Sequence, residues 1–304
     1  MVSQEPPVEK EKVARTTKKI VEALCSPYNV RVVNIKGKLN KEDKEIMYWL
    51  MTHEESEYYE MVYENNMMSM FKIDFHSLAP RTYVSINVID AWVVYLNYHE
   101  KFKSKASPSR LFINTTPTVY NITARKSELT QAEAQKKFCT ALNEFVSKIE
   151  NFKWENYDMI FFPIWANEHF YIMCFNLKMQ MMDVIDNALI SEELIKKKYG
   201  AAPSMLMPWQ NDTNKVDCGV YVMRQMETYM GGAVRNWNSC LMKKGTEAFT
   251  KLRAKYTEAL LIGDTNKKTF ETFTMIQQKF QNDSKKGEID VEKMIRKFEP
   301  PKES

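Results

Sequence analysis

Five cysteines (Cys25, Cys139, Cys174, Cys218, Cys240) and four histidines (His53, His76, His99, His169) are the side chains of this 304-residue sequence best suited to covalent chemistry. A thiol becomes a working nucleophile when a base takes its proton and a further acceptor orients that base. Cys218 is the best placed of the five. It follows Asp217 and opens an apolar helical run, CGVYVMRQMETYM, that stops at Gly231-Gly232. At a helix N-terminus the unpaired N–H groups and the positive dipole end favour a thiolate, and the same groups can face a developing oxyanion. Gly219 lacks a Cβ, so a substrate or a neighbouring strand can approach the backbone closely there. The competing reading of Cys218 is a small buried hydrophobe, the commoner fate of a cysteine, and spacing alone weighs the two evenly. Cys174 lies within an apolar run and reads as core. A lone histidine is more often a surface or core residue than a catalytic one. His169 stands apart because an acid, Asp186, can sit opposite it.

That pairing depends on three apolar runs of strand length, residues 159–165 (MIFFPIW), 170–177 (FYIMCFNL) and 179–185 (MQMMDVI), which read as consecutive sheet strands. With Leu177 and Lys178 at the turn of a hairpin, His169 lies directly opposite Asp186 at its open end. Asp183 is a rival acid, but alternation places it on the other face of the strand. Helices are expected over 40–63 with Asn40 as N-cap, over 85–97 with Ile86, Ile89, Val93 and Leu96 on one face, and over 130–150 with Phe138, Leu142, Phe145 and Ile149 at helical spacing. The first 20 or so residues, with Pro6-Pro7 and alternating charge, read as a disordered leader. The highly charged stretch after Leu261 reads as a solvated tail or partner-binding segment. The resulting division is an N-terminal extension over 1–70, a catalytic domain over 71–262 and a charged tail over 263–304.

Composition narrows the functions. Only 8 glycines occur, none between Leu39 and Tyr199, so neither GxGxxG nor GxxxxGK[ST] can be written and a glycine-lined phosphate cradle has no support. A net charge of +4 is too mild to point to nucleic acid, and no apolar run is long enough for a membrane span. The odd, widely spaced cysteines without CxxC argue against a disulfide framework and against a cysteine-rich metal site, so reduced thiols are expected. With no apolar signal segment in the charged N-terminus, an intracellular protein is expected. The sequons at Asn114 and Asn121 then carry no meaning.

Taken together, FFPIWANEHFYIMCFNL, DVIDNA and NKVDCGVYVMRQMETYM, with SINVIDAWVVYLN upstream, resemble the ubiquitin-like-protein-specific, SUMO/sentrin-type cysteine proteases over residues 74–232. The wording around the last helix is most similar to plant members, including many encoded by mobile elements. The resemblance implies a papain-like α/β (α+β) fold with a mixed sheet and the nucleophile at a helix N-terminus. It implies Cys218 as nucleophile, His169 as general base and then acid, and Asp186 as its orienter. It also implies hydrolysis of the peptide or isopeptide bond after a modifier's C-terminal Gly-Gly, no cofactor or metal, a ubiquitin-like protein and its conjugates as partners, and nuclear residence. Phe170 stands where the family has a tryptophan walling a narrow glycine tunnel, with Tyr83 and Trp165 as further tunnel aromatics. The oxyanion-hole glutamine, six residues before the cysteine in the family, corresponds to Asp212; Gln210, two residues upstream, is the other candidate donor. These two departures motivate an alternative, a modifier-binding domain on the same fold with weak or no catalysis.

Overall fold

The computed structural model describes residues 35, 37–52, 55–118, 130–166, 168–188, 207–211, 214–241 and 246–298. The N-terminal leader, Cys25, His53 and Asp212 lie outside the described residues. At the centre is a four-stranded sheet of order β3-β4-β5-β6, built from β3 (Arg110–Phe112), β4 (Met159–Ala166), β5 (His169–Asn176) and β6 (Met181–Ile185). β3 runs parallel to β4, and β4, β5 and β6 follow one another antiparallel, which makes the sheet mixed, as the α/β expectation has it. β4 is buried on both faces for nearly its whole length, so it reads as a continuous apolar run rather than an alternating one.

On one side of the sheet lies α5 (Cys218–Thr228), every residue of which is buried. Its buried charges are partnered inside the protein, Arg224 donating to Glu227 at 2.8 Å and to the Ser239 carbonyl at 2.9 Å. Its neighbours are β5, α3 (Ile86–His99) and α6 (Thr246–Leu261). Trp92 of α3 donates its indole N–H to the Met223 carbonyl at 3.0 Å, tying the two helices together. At the far end of α5, the buried Arg110 guanidinium donates through Nη1 to the carbonyls of Met226, Glu227 and Tyr229 at 3.0 to 3.1 Å. A cation there satisfies carbonyls that have no partner within the helix and offsets the negative end of its dipole. Gly231 and Gly232 follow with φ of 72° and 119°, a conformation in which a Cβ would be strained. A Cβ at Gly231 would also stand 2.8 Å from the Asn176 amide nitrogen.

Three expectations change. The helix expected over 40–63 is α1 (Lys41–Met51), capped by Asn40 and Asp43 in a reciprocal capping box, and the remainder contains β1 (Met61–Glu64), hairpinned to β2 (Ser69–Phe71). Asn65 explains the change: its side-chain oxygen accepts from the N–H groups of Met67 and Met68, making a turn that the flanking Val, Tyr and Phe residues extend as strands. The residues after Leu261 are not a solvated tail but form α7 (Thr269–Ser284) and α8 (Val291–Lys297), both packed on α1. Ile276 and Val291 are buried in the common core, Phe280 meets Tyr48 edge to face, and Tyr48 donates to Asp283 at 3.0 Å. Finally, Cys240 is disulfide-bonded, against the reduced thiols expected, whereas Cys139, Cys174 and Cys218 are free.

The helices expected over 85–97 and 130–150 form as α3 and α4 (Gln131–Ser147), capped by Ser85 and by a Thr130–Glu133 capping box. α4 buries only Phe145 and Val146 fully, with Phe138 and Leu142 half-buried on the sheet side.

Candidate active site

The β5–β6 turn takes four residues, 177–180, rather than two, because Asn176 pairs with Met181 and Ile172 with Ile185. His169 and Asp186 are therefore diagonal rather than directly opposite, a separation that side chains of this length span. The His169 Nε2 lies 2.6 Å from the Asp186 Oδ1. The same carboxylate oxygen accepts the Ala188 N–H at 2.8 Å, and Gln210 donates its side-chain N–H to the Asp186 carbonyl at 2.8 Å. The acid is thus fixed at side chain and backbone and is 1% exposed. Asp183 points elsewhere: it accepts the Tyr229 hydroxyl at 2.8 Å.

Cys218, which begins α5 and is 1% exposed, is close enough to His169 to act on its ionisation. Nε2 is engaged by Asp186, which orients the ring and leaves Nδ1 as its second nitrogen. Burial alone would push the imidazole toward neutrality. The hydrogen bond to Asp186, the charge of that carboxylate and the neighbouring Cys218 outweigh it, and His169 is raised to about 9. A thiol beside such a base at a helix N-terminus is placed for nucleophilic chemistry.

Gly219 has the close approach expected of it, and the approaching group is Val84, whose Cβ would lie 2.5 Å from a Cβ at position 219. Tyr83, adjacent to Val84, is thereby brought beside the nucleophile turn and is 47% exposed. Trp165 pairs with Phe170 across β4 and β5, with ring centroids 4.5 Å apart. Phe170 is fully buried and Trp165 half-buried. Gln210 is buried, its Oε1 accepting the Met207 N–H at 3.0 Å while its amide nitrogen serves Asp186.

One contributor was not visible in the linear motif. Arg253, on α6, is buried and binds Asp217, the residue before the nucleophile, through Nε at 3.1 Å and Nη2 at 2.6 Å. Its trace in the sequence is a cation on an apolar stripe, between Phe249 and Tyr256. Such a position signals a buried, partnered charge.

No protein-family model matches the chain, and no curated protein matches it in sequence. Solved structures do. The chain resembles Ulp1-like SUMO protease catalytic domains. The C-terminal Ulp1 protease domain in complex with Smt3, the yeast ortholog of SUMO, is 14% identical, with 74% of this chain and 96% of that one covered and a TM-score of 0.47. The SUMO protease Ulp1 with its catalytic cysteine oxidised to a sulfenic acid is 16% identical, with 75% and 97% covered and a TM-score of 0.49. The Ulp1-like SUMO protease catalytic domain of Chaetomium thermophilum is 14% identical, with 75% and 91% covered and a TM-score of 0.48.

Proposed function

We propose that the chain is a cysteine peptidase that hydrolyses the peptide or isopeptide bond after the C-terminal Gly-Gly of a SUMO-like modifier. The observation that carries the chemistry is His169, bonded to Asp186 and acted on by the neighbouring Cys218 at the start of a buried helix. The substrate class comes from the sequence resemblance.

In this reading the Cys218 thiolate attacks the carbonyl carbon of the modifier's last glycine and forms a C–S bond. The oxyanion faces the Cys218 N–H, with Gln210 as the candidate second donor. The His169 imidazolium gives its proton to the leaving amine, a lysine side chain or a peptide nitrogen, and the C–N bond breaks to leave a thioester. Neutral His169 then takes a proton from water, hydroxide attacks the thioester, and the thiol departs with the modifier carboxylate released. Tyr83, with Trp165 and Phe170 behind it, is assigned to the wall along which the glycines lie. Cys218→Ala is expected to abolish cleavage of a modifier fused through Gly-Gly while binding of the modifier persists. Cleavage by that variant would defeat the assignment.

A second reading, a modifier-binding domain with little or no catalysis, draws on two observations: Phe170 offers no exposed face, and Gln210 donates to the Asp186 carbonyl. Iodoacetamide near pH 6 separates the two, with the exposed Cys139 as internal reference. Catalysis requires Cys218 to alkylate much faster than an ordinary thiol of pKa about 8.5; equal rates favour the binding role.

A further inference from the structure

An aspartate at the N-cap of a helix ordinarily turns its carboxylate back to accept the N–H of the second or third helical residue. Asp217 is the N-cap of α5 and makes no such bond. Its Oδ1 is taken by Nε and Nη2 of Arg253, and its Oδ2 accepts the Asn214 side-chain N–H at 2.9 Å. The Asp217 N–H in turn donates to the Asn214 Oδ1 at 3.2 Å. Arg253 cannot follow a moving carboxylate, because it is held by three carbonyls: Nη1 donates to Ser77 and Ala79 at 3.0 Å each and Nη2 to Thr82 at 2.8 Å. Among the described residues, no acceptor faces the N–H of Gly219 or Val220, and the Cys218 N–H has only the Lys215 carbonyl at 3.5 Å, the outer limit of a hydrogen bond.

We propose that Arg253 is a positioning residue that holds the Asp217 carboxylate off the first turn of α5, keeping the N–H groups there open to the Cys218 thiolate and the substrate oxyanion. The inference deepens the peptidase reading and rests on it for the oxyanion. With Arg253 gone, the carboxylate is free to rotate onto the helix N-terminus, where it caps the helix, occupies the donors and sets a negative charge beside the sulfur. The same guanidinium fixes the carbonyls that lead into Tyr83 and Val84, so one side chain positions the nucleophile turn and the segment facing it. Among the described residues, the charged groups on the elements around Cys218 include His169 from β5, Asp186 after β6, Lys215 and Asp217 on its own turn and Arg253 from α6. A cavity of about 780 Å³ beside Asp217 also carries Lys38, Arg81, Glu247, Glu292 and Arg296.

The test compares Arg253→Met, Asp217→Asn and the double variant, reading cleavage of a modifier fusion and the pH profile of Cys218 alkylation. Arg253→Met is expected to lower kcat on the order of 100-fold, the size of a lost oxyanion donor, with KM little changed. Its alkylation acid limb is expected to move up by about one pH unit, a tenfold loss of thiolate below that limb. Adding Asp217→Asn removes the offending charge and is expected to restore at least about tenfold of the activity and the position of the limb, which a purely structural role of Arg253 would not allow. A double variant no better than Arg253→Met, or an unmoved limb, overturns the proposal. Should Arg253→Met not fold by circular dichroism, Arg253→Lys, which keeps the charge but not the fork, takes its place with a smaller loss and the same rescue expected. If the wild type cleaves no modifier fusion, the substrate reading fails, and the alkylation profiles alone decide the role of Arg253.

Discussion

His169 is buried enough that the neutral ring should be favoured, and it is held protonated by what it touches. The Asp186 hydrogen bond, with the neighbouring Cys218, raises it to about 9. Because the folded-state value is raised, the pair's stabilisation is complete below the ordinary imidazole value of about 6.5 and is lost as pH rises through about 9. The activity profile is accordingly expected to have its alkaline limb near pH 9, where the imidazolium that protonates the leaving amine disappears. A limb near 6.5 would show that Asp186 and Cys218 do not hold the proton. Asp186→Asn removes the first of the two supports and the tautomer control. It is expected to lower kcat/KM on the order of 10²- to 10⁴-fold with little loss of modifier binding. Unchanged turnover would remove Asp186 from the mechanism.

Helix α5 is where elements meet to make the candidate site: β5 brings His169, the end of β6 brings Asp186, and the segment before α3 closes against Gly219. A side chain at 219 must displace Val84, since its Cβ would stand 2.5 Å away, and with it Tyr83. Gly219→Val is expected to keep the helical circular dichroism and lose about 10- to 100-fold in kcat/KM, the scale of a misplacement of about 1 Å. Full activity would mean that the Tyr83–Val84 segment does not shape the site. The elements carrying the site were legible in sequence because their signals are local: a strand-length apolar run before and after His169, and a helix opened by Asp217-Cys218-Gly219. The hairpin register was legible only to within two residues, since nothing in Leu177 or Lys178 enforces a two-residue turn, and Gln180 takes a positive φ of 52° to lengthen it. Arg253 escaped because its partners, Ser77, Ala79, Thr82 and Asp217, are distant in sequence and joined only by the fold.

Across the whole molecule a single hydrophobic cluster runs from Trp49 of α1 through the sheet and α5 to Ile276 and Val291 of the last two helices. The charge of residues 263–304 concealed this, because α7 and α8 fully bury only Thr272, Ile276 and Val291 and leave the rest of their residues partly or wholly exposed. Burying an aliphatic side chain stabilises by roughly 1.5 to 3 kcal/mol, so removing 269–304, with Ile276 and Val291, is expected to cost about 3 to 6 kcal/mol, a large share of a typical domain's stability. A urea melt of the shortened chain reads this directly, and an unchanged midpoint would contradict the packing. The central claim, a working Cys218–His169–Asp186 peptidase, is tested most directly by incubating the folded protein with a SUMO-like modifier bearing a C-terminal vinyl sulfone and locating the adduct by mass spectrometry. The account predicts a single covalent adduct on Cys218, lost in Asp186→Asn and abolished in Cys218→Ala. A folded protein that forms no adduct, or one that is modified at Cys139 instead, would contradict it.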